Sequence, residues 1–190
     1  STDTKRGHVR VYEFYDPLAE PEPEPEAEPE PEPEAEPEPE PGWLQLGSDI
    51  DGEAQDDRSG HSVAMSSDGT RIAIGAPDDI YSNDSGHVRV YDYKIPTTDE
   101  WTNGNVIKGS DTIQQSGEYY WTQVGGDIDG EESNDYSGYS VAMSSDGTRI
   151  AIGAPDNDGN GSSITGHVRV YDYDATKIQA VTDQTSSTFG

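Results

Sequence analysis

The sequence predicts an all-β protein: repeated four-stranded antiparallel sheets, of the kind that form the blades of a β-propeller, joined to an extended polyproline II tract. Three observations carry this. The run SVAMSSDGTRIAIGAPD occurs verbatim at Ser62–Asp78 and Ser140–Asp156. It is preceded by matching lead-ins, WLQLGSDIDGE (Trp43–Glu53) and WTQVGGDIDGE (Trp121–Glu131), and followed, after a loop of variable length, by GHVRVYDY at Gly86–Tyr93 and Gly166–Tyr173. A near copy of that last element, GHVRVYEF, stands alone at Gly7–Phe14 with no unit ahead of it. Two units therefore repeat, at 43–93 and 121–173, and a period this long signals a stacked or closed repeat architecture.

Residues 1–16 carry the orphan last strand. Residues 17–42 then read PLAEPEPEPEAEPEPEPEAEPEPEPG, an eight-residue word with Ala19, Ala27 and Ala35 in step. Proline at alternate positions removes donors and fixes φ, which excludes helix and central strand. Its glutamates repel one another and extend the chain. In polyproline II these residues span ~80 Å at ~3.1 Å each.

Each unit reads as four strands. Leu44 and Leu46 alternate with Trp43 and Gln45 in the first, Ser62–Ser66 is the second and Arg71–Ala76 the third. Asp68-Gly69 and Asp146-Gly147 supply the φ > 0 turn of a tight hairpin. The fourth, His87–Tyr93, sets Val88 and Val90 on one face and His87 and Arg89 on the other, the pattern of a strand covered on one side. SVAMS and RIAIGA are apolar on both faces, so these inner strands are expected between neighbouring sheets. Residues 94–120 read as a linker with an irregular hairpin or packed loop, and 174–190 as a Ser/Thr-rich tail.

Composition limits function. Eleven basic residues face 39 acidic ones, a formal net charge of −28, so no basic patch exists to neutralise phosphates and neither nucleic acid nor anionic membrane is an expected partner. No apolar run reaches membrane-spanning length, which argues against membrane insertion. There is no cysteine, hence no disulfide or thiolate metal site. Without an initiating Met or a signal peptide, the chain reads as processed or excised.

GYSVAMSSDGTRIAIGAPDNDGNGSSITGHVRVYDY resembles the FG-GAP repeat, the blade of integrin-alpha-type β-propellers. GYS stands at its Phe-Gly-x-Ser-like start, IGAP at its Gly-Ala-Pro signature and GHVRVY at the strand that follows. The lead-ins and the SSDGT hairpin resemble a secreted subgroup found in tandem arrays. The resemblance implies propeller-type sheets and an extracellular or cell-surface location. Integrin-type repeats carry an aspartate-rich calcium loop between the second and third strands; here that loop is only Ser-Ser-Asp-Gly-Thr, too short for a ligand cage.

Other cation candidates remain. Asp156, Asp158 and Asn160 match the first half of a calcium loop, with Gly161 at position six, but His167 occupies the place of its closing glutamate. Asp49, Asp51 and Glu53, repeated as Asp127, Asp129 and Glu131 and followed by Asp57 and Asp135, form a repeated carboxylate cluster; calcium is the candidate ion, and backbone turn chemistry is the plainer explanation. Sequons at Asn83 and Asn160 fall in equivalent loops, which favours N-glycosylation in a secreted protein. His8, His87 and His167 recur at one position before a strand, which reads as structural. No nucleophile–base constellation is apparent, so no catalytic residue and no enzymatic activity are expected.

These readings point to an extracellular structural protein, a subunit of a filament, surface hair or matrix. Its partners would be identical subunits or neighbouring repeats, through sheet stacking and through Val9, Val11 and Glu13 handed to another copy; the other place open to these three is an edge position within their own chain, reached through the extended tract. The alternative is an integrin-like adhesion module recognising protein or glycan, with Tyr119, Tyr120 and Tyr139 available to it.

Overall fold

The computed structural model describes residues 7–16, 41–77, 85–111, 114–115, 117–159 and 164–174. The Glu-Pro tract up to Glu40, both sequon asparagines and the tail beyond residue 174 lie outside this set. The chain forms two units, Ser1–Val9 with Gly47–Gly190, and Arg10–Leu46.

Ten strands and one short helix appear among the described residues: β1 (His8–Tyr15), β2 (Gly42–Asp51), β3 (Ser62–Met65), β4 (Arg71–Ala76), β5 (His87–Lys94), α1 (Thr98–Asn103), β6 (Tyr120–Gln123), β7 (Ile128–Asp129), β8 (Ser140–Met143), β9 (Arg149–Ala154) and β10 (His167–Asp172). They are all-β apart from α1, and the pairs with assigned register are antiparallel. No described helix is long and apolar enough to cross a membrane.

The sheets are out of phase with the sequence units. β3, β4, β5 and β6 line up in that order, and β7 also pairs with β5. The lead-in of the second unit, Trp121–Asp129, thus closes the sheet of the first: Tyr93 lies opposite Trp121 and Val88 opposite Ile128. The expected first strand of each unit is therefore the outer strand of the preceding sheet. The physical reason is a free edge. The Asp-Gly hairpin pairs β3 with β4 and the next loop pairs β4 with β5, leaving one edge of β5 for the next segment to arrive.

The same rule accounts for the orphan. β1 pairs with β2, the lead-in of the first unit, as β5 pairs with β6 and β7. Gly52 N donates to Gly7 O at 3.1 Å, as Gly130 N donates to Gly86 O at 2.7 Å. Of the two places open to this strand, another copy or an edge within its own chain, the structure shows the second. Of its three assembly residues, Val11 is buried, Val9 half-buried and Glu13 exposed. In the Arg10–Leu46 unit, Phe14 and Trp43 meet edge to face at 5.3 Å.

The connector between β5 and β6 is more ordered than an irregular loop. Thr97 and Glu100 form a reciprocal capping box, and Gly104 ends α1 at φ 84°. Lys94 Nζ reaches Glu100 at 2.7 Å. Val106 bridges to Thr122, and Trp101 packs edge-on against the buried Tyr120, so the connector covers β6.

The sheet of β3 to β7 packs face to face with β8-β9-β10. Ala73, Val88 and Val90 meet Ile150 and Ile152, with Val141, Met143 and Tyr171 completing the layer. Hydrogen bonds tie the two sheets together at their rim. Ser62 Oγ donates to Gly138 O at 2.8 Å, Ser67 N to Ser145 O at 2.8 Å and Arg71 Nη1 to Gly147 O at 3.0 Å. The Arg71 guanidinium lies 4.2 Å from the Tyr173 ring centre. The close approach requires Gly75, where a Cβ would stand 2.2 Å from Gly138 O. At the equivalent Gly153, a Cβ would meet only Ser140 below 3.4 Å.

Two burial expectations are corrected. β5 is buried on both faces over His87–Tyr91, because Arg89 is roofed by the lead-in, with Nη2 donating to Asp51 O at 3.2 Å and Nη1 3.3 Å from Glu53 Oε1. β3, expected to be buried on both faces, is an edge strand with Val63 52% and Met65 41% exposed.

The hairpins carry a pH signature. Ser144 Oγ donates to Asp146 Oδ1 at 2.6 Å, and Thr148 adds its N–H and hydroxyl at 3.1 and 2.9 Å. These bonds, that of Ser144 foremost, favour the carboxylate and lower its pKa to about 2; Asp68 is lowered in the same way, Ser66 first. A depressed carboxylate contributes stability that is fully present above its unfolded pKa of ~3.9 and is lost as pH falls through the folded value. We predict that carboxyl carbon NMR places the Asp146 midpoint near pH 2 and that Ser144→Ala moves it upward. A midpoint near pH 4 in the unsubstituted protein contradicts the hairpin geometry.

Candidate functional site

The loop after each lead-in repeats in detail. Asp56 and Arg58 adopt φ 72° and 55°, and their equivalents Asn134 and Tyr136 adopt 70° and 55°. Left-handed backbone is costly for residues such as Arg and Tyr. Buried acids between them hold the turn: Asp57 Oδ2 accepts from Ala54 N at 2.7 Å and Asp135 Oδ2 from Glu132 N at 3.0 Å. These two carboxylates serve the backbone, the role turn chemistry assigned to them.

Asp156 is exposed and Asp158 half-buried, while Asn157 between them is buried. Asn157 Nδ2 donates to Asp135 Oδ2 at 2.7 Å, and its Oδ1 accepts from Gly159 N at 2.9 Å. The inward residue of this segment is thus Asn157, which sequence reasoning passed over, and it ties the turn to the Asp135 loop.

One group of candidate ligands does gather. Glu53, His87 and Asp127 each offer a ligand atom, and the three atoms lie within 4.8 Å of one another. Each comes from a different strand of the repeat logic. Glu53 follows the lead-in strand β2, His87 opens β5, and Asp127 directly precedes β7, whose Asp129 pairs with His87. Among the described residues, Asp49, Asp51, Asp129, Glu131, Asp156 and Asp158 join no such group. His87 is 9% exposed, and its Nε2 is buried without a hydrogen-bond partner.

The surroundings hold the carboxylates in place. Arg89 lies against Glu53, and Gln123 Nε2 donates to Asp127 Oδ1 at 2.7 Å. Beneath them, the Tyr91 hydroxyl is pushed up to about 12, chiefly by burial; Arg89 opposes the shift while Glu53 and Asp127 add to it. The next sheet repeats part of this. His167 Nδ1 lies 3.7 Å from Glu131 Oε2, Arg169 Nη2 donates to Asp129 O at 2.6 Å, and His167 Nε2 is again buried and unpartnered. The histidine was read as structural from its recurrence. The signal that could have found it is that same recurrence set beside the repeated Asp of the lead-in, which the strand phase brings to it.

Elsewhere, exposed Tyr139 lies 4.8 Å from His61 and exposed Tyr119 5.5 Å from Tyr93, whereas Tyr120 is buried and donates to Asp111 Oδ2 at 2.8 Å. Tyr120 is thereby withdrawn from any recognition surface.

Residues 128–171 match the family model of the FG-GAP repeat. A search of curated proteins finds no match. The matched stretch runs from β7 through β10 and so follows the sequence unit rather than the sheet. Residues 128–171 thus carry an FG-GAP repeat, and the SVAMSSDGTRIAIGAPD run within it also stands verbatim in the earlier unit.

Proposed function

We propose that this protein is an extracellular or cell-surface structural module that associates with further copies of itself by stacking sheets face to face, building a filament or matrix. One observation carries the reading. HVRVYDY occurs twice, and its two copies have opposite environments. Val88 and Val90 are 0% and 9% exposed beneath the next sheet, whereas Val168 and Val170 are 66% and 61% exposed. The surface that covers the first copy is the SVAM and RIAIGA face of β8 and β9. The same face of β3, with Val63 and Met65, is itself half-exposed. One chain therefore presents both halves of the junction it already uses internally. A contact between unlike halves is heterologous and propagates head to tail. Among the described residues β10 also has only β9 as a partner, so the edge filled by β6 and β7 in the preceding sheet is open to a lead-in strand.

The FG-GAP match favours a second reading, in which the sheets are blades of a closed propeller whose loops, with Tyr119 and Tyr139 exposed, bind a protein or glycan. Electron microscopy of the native material together with its mass in solution separates the two. Head-to-tail polymers, shortened by Val168→Asp, support the structural reading. Compact particles of one size, unchanged by that substitution, overturn it in favour of the propeller.

A further inference from the structure

We propose that Glu53, His87 and Asp127 form a binding site for a divalent cation of the zinc class. The inference is independent of sheet stacking between copies, since all three ligands belong to one chain and to its compact unit Ser1–Val9 with Gly47–Gly190. It rests on two separate observations. The first is the convergence of one imidazole and two carboxylates, with ligand atoms within 4.8 Å of one another. The second is the state of His87. The residue is more than nine-tenths buried, one of its ring nitrogens lies within reach of the two carboxylates, and its Nε2 has no hydrogen-bond partner. A buried polar group without a partner costs ~1–3 kcal/mol, and a histidine bound to a cation through one ring nitrogen typically has its orientation set by what the other can reach.

The ligand set selects the ion. Neutral imidazole with carboxylate oxygens suits zinc and the neighbouring transition metals, whereas calcium and magnesium take oxygen ligands. His87 is fixed by burial, while Glu53 and Asp127 are exposed and can close on an ion. Arg89 and Gln123 each engage one oxygen of these carboxylates, so a second oxygen of each is left for a cation. The Arg89 charge weakens the attraction and places the site among moderate rather than very tight binders.

The location suggests what binding would do. Asp127 introduces β7, the last strand to join the sheet, while Glu53 and His87 belong to the entry loop and to β5. A cation held by all three would pin the closing lead-in to the sheet and raise its stability by mass action.

The test is titration of the metal-stripped full chain with Zn²⁺ by calorimetry, with Co²⁺ absorption and His87 ring NMR as site readouts. One saturable Zn²⁺ per chain is expected, accompanied by a rise in Tm that calcium does not reproduce. Glu53→Gln, His87→Gln and Asp127→Asn should each weaken it by at least about tenfold, while Asp49→Asn, outside the cluster, leaves it intact. Should His87→Gln fail to fold, the two exposed carboxylate variants decide. Binding that never saturates, that persists in the folded variants, or that leaves the His87 resonances unmoved belongs to the diffuse acidic surface and overturns the site.

Discussion

Val88→Asp is expected to unfold the protein, and Val168→Asp to leave its stability within about 0.5 kcal/mol of the parent. The two valines occupy the same place in the same seven-residue word, so local propensity, neighbours in sequence and the substitution itself are matched. What differs is cover. Val88 is 0% exposed, within the layer shared with Ile150 and Ile152, whereas Val168 is 66% exposed. A carboxylate at position 88 would have no partner in that layer, and burying an uncompensated charge is among the few single changes that exceed ~4 kcal/mol. Against a total stability of ~5–15 kcal/mol, this removes most or all of the folded population. Urea denaturation followed by circular dichroism at a concentration too low for association checks both variants. Equal loss in the two would mean that Val168 is covered in the isolated chain, and the stacking surface would have to be sought elsewhere.

Trp121→Ala should cost ~3–5 kcal/mol, the range for removing a buried large aromatic, whereas Trp43→Ala should cost about 1 kcal/mol. The two tryptophans open matching lead-ins. Trp121 is 1% exposed: its ring centre lies 5.1 Å from that of Tyr93, and it packs so closely on Gly47 that a Cβ there would stand 3.0 Å from Trp121 Cδ1. Trp43 is 68% exposed, with its edge-to-face contact to Phe14. The cover of Trp121 traces in part to the connector before β6. Residues 94–119 cover β6: Trp101 packs on Tyr120, Val106 bridges to Thr122 and Ile107 N donates to Trp121 O. Denaturation midpoints at unchanged m-value measure both costs. A small effect at Trp121 would show that the lead-in strand is dispensable for the sheet.

Arg71 and Arg149 make the same point in polar form. Each forms a bidentate pair with its Asp, 92 or 172, yet the first pair is 15% and 21% exposed and lies under Tyr173, and the second is 62% and 67% exposed. A fully exposed pair of this kind contributes little, so identical sequence again yields unequal energetics.

Much was legible in the residues themselves. The verbatim repeat, the period-two alternation and the Asp-Gly turns located β3, β4, β5, β8, β9 and β10 and the all-β class, because hairpin chemistry and strand periodicity are local properties. So was the FG-GAP character, carried by short motifs, and so were the repeated acidic lead-ins. α1 was missed although its signal, Thr97-x-x-Glu100 with Gly104 behind it, was present, since six residues give little periodicity to weigh.

What only the tertiary structure decided is which edge each strand joins and which face each sheet covers. A lead-in at Trp121–Asp129 has the same alternation whether it opens its own sheet or closes the previous one, and pairing with β5 settles it. That choice gave β1 a partner in β2, roofed Arg89, and carried Asp127 to His87 and Glu53. Pairing and burial depend on residues distant along the chain, so two copies of HVRVYDY, indistinguishable as sequence, end as a buried strand and an exposed one.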